Sequence, residues 1–398
     1  MLRSLALSGL AALAVVLGLP CVASSAVAAP AKAAHVHSHS AIPTQHELAG
    51  VSCLSPKDCI AVGLNLNAFS HMGGPLAETW NGKAWKAATL SVPKGSIAGQ
   101  LLAVSCKPAA FCVAVGLTLN AADTGLALAE TWNGKTWTPR TLPAIKGTTG
   151  TELNGVSCVT AKSCVAVGLA FTKTSVLAMA ESWNGKTWTP AAIPSIKGAS
   201  TALLNGVSCT SAAHCVAAGL YSTPSATFPL IESWNGKAWS RMSAPSPAGA
   251  ESASLEGVSC GSAKSCVAVG GFRMHGPDVT GFTGVWHGKS WAVVSVPWPK
   301  SVFDTSLSGV SCVSATGCVA VGNENGVRKP AAASWNGKQW TVTAVASPPA
   351  GKISLFDAVA CLTAANCVAA GHQGADMADG TGLSGFWNGK TWRLVLAV

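Results

Sequence analysis

Charge is what this sequence has least of. Asp, Glu, Lys and Arg make up 11% of its 398 residues, whereas 49% are hydrophobic. That balance excludes a disordered chain, which carries high charge and too few apolar side chains to bury. Tyrosine occurs once, at Tyr221. Arginine is nearly as scarce: Arg3, Arg140, Arg241, Arg273, Arg328 and Arg393 are the full set. Chemistry that needs several arginines around one anionic group therefore has few places to be. No segment keeps a helical apolar period, which argues against helices. Beyond residue 28 no apolar run is long enough to span a bilayer.

The one long apolar run stands at the start. Arg3 precedes Leu5–Leu19, and Ala26-Val27-Ala28 supplies a small-x-small cleavage site. Residues 1–28 are therefore expected to be a signal peptide, and the protein to be secreted, extracellular or bound to the cell envelope. Residues 29–45 read as a flexible segment. His35, His37 and His39 alternate within it, and a linker is preferred there over a metal site. Loss of Cys21 with the signal leaves 14 of the 15 cysteines, an even number. The formal charge of +10 is basic, which suits either an anionic partner or plain solubility.

What the sequence has in abundance is repetition. Gly155-Val156-Ser157-Cys158 is followed by Cys164-Val165-Ala166-Val167-Gly168, and then by Glu181-Ser182-Trp183-Asn184-Gly185-Lys186-Thr187-Trp188. This order occurs seven times, with first cysteines 49 to 53 residues apart. Fourteen of the 15 tryptophans belong to it; only Trp298 stands outside. Each unit reads as four short strands, and seven such units predict an all-β, seven-bladed β-propeller over residues 46–398. The blades start near residues 48, 101, 153, 204, 255, 307 and 356.

The cysteine pairs are Cys53–Cys59, Cys106–Cys112, Cys158–Cys164, Cys209–Cys215, Cys260–Cys266, Cys312–Cys318 and Cys361–Cys367. Each spans the turn between two strands, so one disulfide per blade is expected, in keeping with an oxidising compartment. A loop this short stabilises by about 2 kcal/mol. Metal binding is not expected, since zinc sites use tighter spacing and further ligands. Six repeats carry Asn-Gly between the third and fourth strands; the fifth has His287-Gly288. Asn-Gly predicts a two-residue type I′ turn with positive φ at both positions. That register sets Trp132 opposite Lys135 and Glu130 opposite Trp137, with the two tryptophans as diagonal neighbours. Glu78, Glu130, Glu181 and Glu232 recur in blades 1 to 4 and read as structural.

The Ser182-Trp183-Asn184-Gly185-Lys186-Thr187-Trp188 hairpin resembles the Asp-box of sialidase-like (BNR) propellers. It departs by an Asn in place of Asp and by a spacing one residue shorter. The whole unit is also similar to repeats of uncharacterised secreted bacterial propellers. The resemblance implies the fold and says little of activity.

In a propeller the disulfide loops and third-to-fourth strand turns share one face. That face carries Lys83, Lys135, Lys186, Lys237, Lys289, Lys338 and Lys390, which read first as solvated turns. The other face holds the variable loops, where function usually sits. Blades 1 to 4 offer little there beyond His71, Asn120, Asp123, Lys173 and Tyr221. Blades 5 to 7 are richer, and the candidate ligand-binding residues are Arg273, His275, Asp278, Glu324, Arg328, His372, Asp376 and Asp379, with Asn325 and Gln373 beside them. Lys94, Lys146, Lys197, Lys300 and Lys352 lie on the crossings between blades.

These features favour a monomeric, non-catalytic binding or surface-interaction module, with a glycan or an anionic wall polymer as partner and no cofactor or metal. A sialidase-like glycoside hydrolase is the rival, and a purely structural envelope protein is the third reading. Nucleic acid is not expected, because the lysines are spread around the ring. If the repeated tryptophans are exposed they make a seven-fold lectin; if buried they are core.

Overall fold

A computed structural model describes residues 44–67, 73–107, 111–302, 304–326, 328–375 and 380–396. The signal-like segment, the alternating histidines, His71, Asp376 and Asp379 lie outside the described residues. Within them there are 28 strands and no helix, hence none able to cross a membrane.

The strands form seven four-stranded antiparallel blades, each in chain order. Blade 1 is β1 (Thr44–Ser55), β2 (Asp58–Asn67), β3 (Gly73–Trp80) and β4 (Trp85–Thr89). The first strands touch one another in sequence around a closed circle, blade 7 against blade 1 included, so they are the inner strands of a seven-bladed β-propeller. They begin a few residues before the starts suggested by the repeat, as at Gly150 in blade 3. The cysteine motif marks only the lower half of each inner strand.

Alternation sorts the inner strand. Five residues before its cysteine lies Leu48, Leu101, Leu153, Leu204, Leu255, Leu307 or Phe356, each buried against a neighbouring blade. The serine of Val-Ser-Cys ties blade to blade: Ser52 Oγ accepts the Cys106 N–H at 3.0 Å, and the next five junctions repeat this at 2.9–3.0 Å. All seven disulfides are local, joining directly opposed residues with Cα atoms 3.9–4.0 Å apart.

The hairpin differs from the type I′ expectation. Trp183 lies directly opposite Trp188, and Trp132 opposite Trp137, so Asn-Gly-Lys-Thr forms a four-residue loop. Only the glycine has positive φ, 97° at Gly185. The reason is the Asn side chain. Asn184 Oδ1 accepts the N–H groups of Lys186 and Thr187, both at 2.9 Å, and so holds a wider turn. Paired tryptophans consequently face each other, with ring centroids 5.4–5.6 Å apart. In five blades the first of them donates Nε1–H to a carbonyl of its own disulfide loop at 3.1–3.3 Å. Nine of the fourteen are buried and five half-buried, so they are core.

Glu130 is also displaced from the expected register: it opposes Pro139, not Trp137. Glu78, Glu130, Glu181 and Glu232 are all buried, and their partners are not the turn lysines. Glu78 contacts His46 Nδ1 at 3.1 Å, and Glu232 lies 3.7 Å from Arg241.

Blade 7 is complete within itself, ending on Trp392–Leu396. Among the described residues no strand is exchanged, and blades 7 and 1 meet by packing. Phe386 packs against Trp80 with tilted rings 4.7 Å apart, and Trp85 Nε1–H donates to Ser384 Oγ at 2.8 Å.

Candidate functional site

The inner strands enclose a channel, and one irregularity aims side chains into it. In every blade the pairing register slips four residues before the first cysteine, a β-bulge that leaves Ala49, Leu102, Asn154, Asn205, Glu256, Ser308 or Asp357 unpaired. A bulge re-aims the strand at this point. It also brings the backbones so close that a Cβ on Gly168 would strike the carbonyl of Glu152. This is why the Cys-Val-Ala-Val motif ends in glycine. Six residues before the cysteine a second tier faces inward: Glu47, Gln100, Glu152, Leu203, Ser306 and Leu355 line the space, while Ser254 turns to hydrogen-bond Glu256 at 2.7 Å.

The space is a cavity of about 490 Å3 bounded by all seven blades. Leu64, Leu66, Leu102, Leu169, Leu203 and Leu220 make an apolar arc from blades 1 to 4. Glu256, Ser306, Ser308, Asn323, Asn325, Arg328, Asp357 and His372 make a polar arc from blades 5 to 7. Glu47, Glu152, Asn154 and Asn205 are set among the leucines. Asn205 Nδ2 binds Glu256 Oε2 at 2.9 Å.

Burial governs the charges here. It pushes Glu152 up to about 7. It lifts Glu256 to about 6, against the hydrogen bond from Ser254. Glu47 is raised by burial too, with His372 opposing and Asp357 adding. For His372, burial works to lower the pKa, but its hydrogen bond to Asp357 and the charges of Asp357 and Glu47 outweigh it, so it is raised. The His372 Nδ1 to Asp357 Oδ2 distance is 3.4 Å. Two buried polar atoms here, His372 Nε2 and Glu47 Oε1, have no hydrogen-bond partner among the described residues.

Of the residues singled out from the sequence, the cavity gathers Arg328, His372 and Asn325. Arg328 adopts φ 51° at the mouth. The other candidates among the described residues do not line it. Arg273 ends the second strand of blade 5, opposite Ser252. His275 is exposed and holds Glu251 at 2.8 Å, and Asp278 is exposed beside it. Glu324 pairs with Lys329 at 3.1 Å in its own loop. Gln373 is buried on Ser354 at 2.7 Å. Among the described residues no group of three metal-ligating side chains could hold an ion.

Sequence reasoning missed Glu47, Glu152, Glu256 and Asp357. A signal was available. When the seven repeats are superposed on their cysteines, two positions in an otherwise uniform strand change chemistry from blade to blade.

No protein-family model and no curated protein matches the sequence. By structure the chain is similar to YCF48 bound to D1 peptide, at 13% identity, over 83% of this chain and 92% of that one, with TM-score 0.51. It is similar to the GH74 xyloglucanase from Xanthomonas campestris at 14% identity, over 87% of this chain and 53% of that one, with TM-score 0.56. It also resembles a PL25 ulvan lyase bound to -[GlcA(1-4)Rha3S]-, at 8% identity, over 89% and 96% of the two chains, with TM-score 0.55. At these identities the likeness is one of fold alone, and it sets this chain among the β-propellers.

Proposed function

We propose that the protein is an exported, non-catalytic binding module whose ligand enters the central channel, and that the ligand is a neutral glycan segment. The observation that carries this is a cavity of about 490 Å3 at the centre of the ring, in which an apolar arc of leucines faces a polar arc that includes His372, Asn323, Asn325 and Arg328. About 300–1,000 Å3 is the usual size of a ligand pocket. A sugar offers hydroxyls to the polar arc and C–H faces to the leucine arc. Glu47, Glu152, Glu256 and Asp357 weigh against a polyanion in the channel, since only Arg328 and His372 oppose them. Seven disulfides agree with an oxidising, extracytoplasmic setting. Among the structural neighbours are a xyloglucanase, an ulvan lyase and a peptide binder.

A hydrolase is the second reading, and one observation favours it. A carboxyl raised to about 7, as at Glu152, suits a general acid. The sialidase form is weaker, because Arg273 is away from the cavity and Tyr221 stacks on Phe228 at 5.2 Å outside it. A panel of neutral and charged oligosaccharides, titrated calorimetrically and assayed for cleavage, separates the readings. Binding without turnover, weakened about tenfold or more by His372→Ala, supports the module. Cleavage lost in Glu152→Gln supports the hydrolase. Silence across the panel leaves a structural envelope protein.

A further inference from the structure

The face opposite the channel mouth carries a different chemistry. Each of the seven turns, from Lys83 to Lys390, presents an exposed lysine. The disulfide loops of the same face add Lys57, Lys162 and Lys264, all exposed, and Lys107, half-buried. Against these eleven cations the loops and turns of this face hold one carboxylate, Asp58. Their balance of +10 equals the formal charge of the whole chain, so the rest of the sequence sums to zero. Among the described residues no ion pair involves any of these lysines. The frame beneath them is rigid, because each turn is set by paired tryptophans and each loop by a disulfide.

We propose that this face docks a linear polyanion with phosphates along a flexible chain. The lysines form a ring with one or two per blade, so one polymer can reach several at once, and weak contacts made together add in free energy. The face has no arginine in its loops or turns. Lysine acts as a point charge on a flexible stem and tracks phosphates without the planar fork that arginine imposes. A bilayer fits less well. Membrane docking uses inserted apolar side chains; of the exposed large ones among the described residues only Val313 lies in the loops or turns of this face, whereas Ile97, Leu126, Phe171, Leu177, Phe228 and Met274 lie towards the other face.

The test uses the oxidised chain and long-chain inorganic polyphosphate. Affinity for a flexible polyanion falls with salt at about 0.7 logarithmic units per contact. Four to seven simultaneous contacts therefore predict a loss of roughly 50- to 1,000-fold between about 50 and 200 mM salt. Changing all seven turn lysines to glutamine is expected to lower affinity at least about 100-fold at low salt. Should that variant fold poorly, Lys83→Gln, Lys186→Gln, Lys289→Gln and Lys390→Gln together are expected to cost about tenfold. The matched upper-face set, Lys94→Gln, Lys146→Gln, Lys197→Gln and Lys300→Gln, is expected to change nothing. The proposal is overturned if the upper-face set weakens binding equally, or if orthophosphate competes as well as the polymer per phosphate. Tighter binding to phosphatidylglycerol vesicles than to polyphosphate overturns it in favour of a membrane. Oligosaccharide binding in the channel is read separately and does not depend on these lysines.

Discussion

Six junctions between blades are copies of one another, and the one that closes the ring is not. At the six, a serine Oγ accepts the N–H of the next blade's cysteine. At the seventh, Ala360 stands where the serine would be; Trp85 with Ser384 repeats the Trp340 Nε1–H to Thr283 Oγ1 bond between blades 6 and 5, and Phe386 against Trp80 is added. A covalent crossing links the partners at each of the six, whereas the seventh has none. The channel's most tightly coupled charges straddle this same junction: Glu47 comes from blade 1, Asp357 and His372 from blade 7. The difference teaches that the repeat is kept where neighbours are tethered, and replaced where the chain's two ends must find each other beside the candidate site.

Phe386→Ala strikes the closing junction alone and is expected to have the largest effect, a loss of about 3 kcal/mol in denaturant melts. A loss well under about 1 kcal/mol would show that closure does not rest on this ring.

The glutamates come next. Burial raises Glu130, Glu181 and Glu232 to about 7, with Arg140 and Arg241 opposing at the first and last. The folded state thus holds their protons more tightly than the unfolded chain does. The resulting stability is complete below about pH 4.5 and is lost as pH rises through about 7. The protein should melt higher at pH 5 than at pH 8. Glu181→Gln should gain up to about 3 kcal/mol at pH 8 and under about 1 kcal/mol at pH 5. An unchanged pH dependence would mean that Glu181 finds a partner when ionised. Glu78, at the closing junction, already has His46.

The smallest effects test the serine itself. Ser208→Ala should cost about 1 kcal/mol, because it strands the Cys260 N–H. Ala360→Ser should gain less than about 1 kcal/mol, by making the seventh junction like the rest. Equal and negligible changes would mean the serine is incidental.

Much of the fold was legible because its causes are local. Cys158 and Cys164 are six residues apart and can only clamp a hairpin, and seven copies of the motif count the blades. The register of that hairpin was misread, because Asn-Gly alone suggests a two-residue turn. The wider loop depends on what Asn184 Oδ1 does with its own backbone. The site was legible in part: among the described candidates, those that line the cavity are Arg328, His372 and Asn325. Arg273, His275 and Glu324 lie in the same kind of loop, yet they spend their charge on the rim or on neighbours in sequence.

By itself the sequence determined the unit, its bridge, its tryptophan pair and the number of copies, since each follows from contacts within about 35 residues. The inward direction of Glu47, Glu152, Glu256 and Asp357 was decided only by tertiary structure. A strand does not know which of its faces will meet an axis. The bulge that turns these side chains inward acquires that meaning only when seven inner strands close around a common space.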